Sequence, residues 1–112
     1  MALARDNLEE AERLLRESLQ VHRQTGNRAG IAETLEDLAA LAVRRERFVQ
    51  AAGLIGARVR PGAFPRPIGA RCQEAMALAR ARLGEPAFAA AAQAGSAMTL
   101  HEAIDHVLAM VD

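Results

Sequence analysis

The chain has 112 residues, 51% of them hydrophobic but only 3% aromatic, with no Trp or Tyr and a formal net charge of +0. That length supports one compact domain with a modest core, and a core poor in aromatics but rich in alanine suits closely approaching helices and argues against a sheet. No uninterrupted apolar run approaches the roughly 18 residues of a membrane span, and the N-terminus lacks a signal pattern, so the expected protein is all-α, cytoplasmic and not exported.

All fourteen basic residues are Arg, a composition in keeping with a GC-rich bacterial genome. The single cysteine, Cys72, excludes an intramolecular disulfide and fits a reducing compartment. It falls on an apolar stripe, where a buried, inert thiol is expected.

In chain order, Asp6 and Glu9 have the spacing of a helix N-cap with a reciprocal carboxylate. The first helix then runs to about Gln24, where Thr25-Gly26-Asn27 supplies a left-handed stop. Ile31, Leu35, Leu38, Ala39 and Ala42 mark a second helix that fades at Arg44–Arg47, and a third begins near Phe48. Gly53 and Gly56 within the third each cost roughly 1 kcal/mol relative to alanine. A notch receiving a neighbouring helix accounts for both; a hinge or ligand groove is the alternative.

Leu8-Glu9-Glu10-Ala11 and Phe48-Val49-Gln50-Ala51 open similar stripes 40 residues apart, a period typical of stacked helical hairpins. Pro61, Gly62, Pro65 and Pro67 then form a connector over 61–67, too short to read as a PxxP ligand. Ile68, Cys72, Met76, Ala79 and Leu83 predict a fourth helix ending at Gly84. Pro86 suits the first turn of a fifth, with Phe88, Ala91 and Ala92 inward until Gly95-Ser96 interrupts it. Thr99-Leu100-His101-Glu102 is a capping box for a sixth, whose stripe runs from Leu100 to Val111.

The region from Leu8 to Val59 resembles tetratricopeptide repeats. Leu8, Ala11 and Leu15 match the second helix of one repeat, and Leu35 to Ala42 with Phe48, Ala51 and Ile55 match a whole one. The longer pattern, including Gly26–Glu33, Leu83–Phe88 and Thr99–Ile104, is similar to the C-terminal part of bacterial signal-transduction ATPases and of LuxR-type or adenylate-cyclase-linked regulators. The resemblance implies a single domain, with a hairpin region over 1–60 and a helical cap over 68–112. It also implies a regulatory, protein-binding module without catalytic residues or cofactor. The phosphate loop, cyclase domain and DNA-reading domain of those regulators are missing from this sequence, so ATP-driven switching does not carry over. The hairpin pattern starts in half a repeat, which reads as a fragment or as a chain that borrows a surface.

Two interface expectations follow. Leu14 and Val21 flank the main stripe of the first helix, and an uncovered hairpin flank is expected to pair with a second copy as a homodimer. Charge is also segregated: five Arg against eight carboxylates over 1–43 give −3, nine against two over 44–82 give +7, and none against four over 83–112 give −4. Arg44, Arg45 and Arg47 in the basic middle are therefore candidates for an acidic protein partner. With almost no aromatics to stack bases, nucleic acid is disfavoured. The simplest reading is that Glu33, Glu36 and Asp37 partly neutralise the stripe.

Chemistry of the chain's own finds no foothold. His101 and His106 lie roughly 140° apart around a helix and do not share a metal; each instead faces a carboxylate, Asp105 or Glu102, at four-residue spacing. His22 sits where a helix C-terminus favours positive charge. Ser18 and Ser96 lie outside any nucleophile elbow. Cys72, Met76 and Phe88 would fill a core or line a pocket for a small apolar ligand.

Overall fold

The alanine-rich stripes fold into six helices, with no strand among the described residues: α1 (Arg5–Thr25), α2 (Arg28–Arg44), α3 (Phe48–Arg58), α4 (Ala70–Leu83), α5 (Glu85–Ala97) and α6 (Leu100–Ala109). This computed structural model describes the backbone over 5–109 and the side chains over 7–109. The Asp6 side chain, read as a cap, and Val111 at the end of the last stripe lie outside the described residues.

Short turns join the first three helices, and both turns are built alike. At the end of α1, Asn27 N–H donates to the His22 carbonyl (2.9 Å) and Gly26 N–H to that of Arg23 (3.3 Å), with Gly26 at φ +68°. At the end of α2, Arg47 N–H donates to Ala42 (2.8 Å) and Glu46 N–H to Val43 (3.0 Å), with Glu46 at φ 59°. Both are Schellman closures, which satisfy the last carbonyls through one left-handed residue. Asn27 then caps α2 by accepting the Gly30 N–H at 2.9 Å.

Helix α2 packs on both α1 and α3, α4 packs on α2 and α3, and α5 lies closest to α3. The last helix returns to α1, where Arg23 meets Asp105 at 2.5 Å. One core runs through all six helices, with Leu19, Leu35, Ile55, Cys72, Phe88 and Ile104 in its interior. The Cα radius of gyration, 13.0 Å, matches the roughly 13 Å of a packed chain this long.

The glycine notch is where α3 meets α5. A Cβ added to Gly56 would overlap the Ala92 carbonyl oxygen and lie 2.7 Å from its carbonyl carbon. From the other side, a Cβ on Gly95 would overlap the Gly53 carbonyl oxygen and lie 2.9 Å from its carbon. Gly95-Ser96 therefore does not interrupt α5, which continues to Ala97: the glycine lets another backbone in and is not a stop. The sixth helix opens on the expected box, with Thr99 N–H donating to Glu102 Oε1 (2.8 Å) and Glu102 N–H to Thr99 Oγ1 (3.1 Å).

The proline connector occupies 59–69, longer at both ends than the sequence pattern gives, and α4 starts at Ala70 instead of Ile68. A buried ion pair holds it in place. Arg58, 3% exposed, donates from Nε to Glu36 Oε2 (2.8 Å) and from Nη2 to the carbonyls of Arg66 (2.9 Å) and Pro67 (3.3 Å). Glu36 also accepts the Gly69 N–H at 3.0 Å, so one carboxylate serves the helix pair and the start of α4. Phe64 lies under two guanidinium groups, Arg28 (5.6 Å) and Arg58 (5.2 Å).

Candidate interaction surface

Because α1 and α4 both pack on α2, an open trough is left over its remaining face, with a volume of about 660 Å³. Its lining takes Ala40, Leu41 and Arg44 from α2, Leu14 from α1, and Ala75 and Leu78 from α4. Leu14 and Leu78 are 49% and 53% exposed, large apolar groups left in water by the fold. Fully burying an exposed leucine is worth roughly 1.5–3 kcal/mol, and about half of that remains for each of these two.

Charges sit around this apolar strip. Arg71 approaches Asp37 at 3.7 Å at one end. Partial burial holds the Asp37 carboxyl above its ordinary value, with Arg71 acting in the opposite direction. Neither Arg44 nor Glu74 has an ion-pair partner among the described residues.

The five residues singled out from the sequence do not form one surface. Leu14 and Arg44 come together in the trough. Val21 is exposed two turns further along α1, outside it. Arg45 and Arg47 turn inward to Glu12, a carboxylate only 5% exposed. Arg45 bonds it directly, Arg16 approaches at 3.3 Å and Arg47 at 3.8 Å. Burying an acid is costly unless cations surround it, and the turn after α2 supplies two of the three. Sequence reasoning missed Leu78, Glu74 and Ala75; the one available signal was that Leu78 falls off the Cys72–Met76–Ala79 stripe.

Across the basic middle, the self-neutralising pattern prevails. Of the nine Arg over 44–82, six have carboxylate partners: Arg45, Arg47, Arg58, Arg71, Arg80 and Arg82. Three of those six also stack on rings: Arg58 over Phe64 (5.2 Å), Arg80 over Phe88 (4.6 Å) and Arg82 over Phe48 (5.0 Å).

A second concavity of about 450 Å³ lies between α3, α5 and α6, with Leu54, Ala57, Gly95 and Val107 at its base and Gln50 and His106 at its rim. Among the described residues, no three His, Cys, Asp or Glu side chains gather to hold a metal. Asp105 pairs with Arg23, and Glu102 closes the α6 cap, so the carboxylates expected beside the histidines are used elsewhere. Cys72 is fully buried, and desolvation pushes its thiol up to about 11. No helix among the described residues is long and apolar enough to cross a membrane. Comparisons with protein-family models, curated proteins and solved structures give no match.

Proposed function

We propose that this chain is a non-enzymatic protein-binding module, a tetratricopeptide-like regulatory part of a bacterial transcriptional or signalling protein, and that its partner docks in the trough over α2. The observation that carries this reading is the pairing of two half-exposed leucines, Leu14 and Leu78, on opposite sides of a trough whose α2 face includes Ala40 and Leu41. An apolar centre with charges at the rim is the layout of a protein interface. The buried, hard-to-ionise Cys72 supports a structural thiol. The internal pairing of six basic-middle arginines supports a protein partner over nucleic acid.

A photo-crosslinking side chain at Ala40 tests the reading, with exposed Ala90 on α5 as control. A discrete protein adduct from position 40, lost in Leu78→Glu, is expected. Equal labelling from both positions would refute it. The concavity between α3, α5 and α6 favours a second reading, an apolar small molecule bearing one polar group that meets Gln50 or His106.

A further inference from the structure

The proposed trough has a property that a generic peptide groove lacks: it contains its own complement. An isologous interface uses one patch twice, so every projection needs a recess, and every charge an opposite, within the same patch. Leu14 and Leu78 project, while Ala11, Ala40 and Ala75 leave room between them. Arg44 and Glu74, of opposite sign, both lack an ion-pair partner among the described residues, and the remaining pair, Asp37 and Arg71, is already matched. Two cations against two anions give this face no preference for an acidic or a basic ligand, and a chain of net charge +0 does not repel its copies.

Building on the protein-binding reading, we infer that the occupant of the trough is a second copy of this chain. The two molecules meet across a two-fold axis. Leu14 and Leu78 of each seat over Ala40 and Leu41 of the other, and Arg44 of each faces Glu74 of the other. Desolvating four leucines supplies the attraction, while the two symmetric ion pairs set the register and contribute little on their own.

Sedimentation velocity across the micromolar range tests this. The wild-type chain is expected to dimerise, and Leu78→Glu, an exposed position, to be monomeric with an unchanged helical spectrum. Arg44→Glu and Glu74→Arg should each weaken the dimer about tenfold, since each creates two like-charge contacts. Combining them restores opposite charges across the axis and should recover most of that loss. A wild-type monomer at all concentrations, a dimer indifferent to Leu78→Glu, or a double variant as weak as the singles would overturn the inference. A monomer that still yields an adduct with a different protein from position 40 would overturn self-association and leave the protein-binding reading standing. Loss of both signals would remove both.

Discussion

Two glycines three residues apart on α3 should respond to alanine with opposite signs. In an ordinary helix interior, Gly→Ala gains about 1 kcal/mol from propensity alone. At Gly53 the new methyl would meet the Ala91 carbonyl oxygen at 3.8 Å, an ordinary contact, so Gly53→Ala should realise that gain. At Gly56 it would lie 2.7 and 2.8 Å from the Ala92 carbonyl carbon and Cα, well inside the optimal separation of about 3.5 Å between carbons. The obstacle is the backbone of α5, which no rotamer change can clear. Overpacking costs about 1–3 kcal/mol and here opposes the propensity gain. Because a whole helix must shift, the cost should fall at the upper end of that range, leaving a net loss of about 1–2 kcal/mol. For a domain of this size the midpoint should drop by about 5–10 °C. Thermal and urea unfolding at one fixed protein concentration measure both variants, since any self-association makes apparent stability concentration-dependent. A Gly56→Ala protein as stable as the wild type would refute the close approach of α3 and α5.

At the turn after α2, Glu46→Gly should stabilise by about 1 kcal/mol, because a left-handed residue with a Cβ costs roughly 1–2 kcal/mol there; urea unfolding checks this, with Gly26→Ala moving the other way. Arg58→Ala leaves Glu36 without its cation and should cost about 3 kcal/mol. It should also expose Arg60 and Arg66 to trypsin, which limited proteolysis would show as early cleavage between α3 and α4. Hydrogen bonds from Thr99 hold the Glu102 carboxyl below its ordinary value, so the unfolded chain takes up the proton more readily. Its contribution is therefore complete above the unfolded-state carboxyl value and is lost as pH falls through the lower folded one. Thermal midpoints of wild type and Glu102→Gln should converge as the solution is acidified across that range.

Local punctuation made most helix ends legible. Thr25-Gly26-Asn27, Gly84-Glu85-Pro86 and the Thr99–Glu102 box each act within one turn of chain, and the helices end and begin beside them. Gly56 was also readable as part of a notch, because a glycine inside an apolar stripe requires a reason, whereas Gly53 has room for a Cβ and joins the contact only through its carbonyl. Gly95 was misread since Gly-Ser looks the same whether it stops a helix or admits a neighbour, and only α3 decides. Glu12 sits beside an apolar stripe, and besides the local Arg16 its cations, Arg45 and Arg47, come from a turn more than thirty residues later, a separation that no local pattern reports. The candidate surface was half visible for the same reason. Leu14 and Arg44 could be picked as exposed, whereas Leu78 and Glu74 join them only because of how α4 lies on α2.

The contact between Arg23 and Asp105 ties together residues 82 positions apart. During translation at roughly 5–20 residues per second, the first of these emerges roughly 4–16 s before the second. Throughout that interval the nascent bundle lacks its final staple, and the flank of α1 that α6 will cover stands open to chaperones or to a neighbouring polysome product. Joining the two ends also carries the largest loop-closure entropy of any of the ion pairs described, so hairpin turns should form early and this seam last.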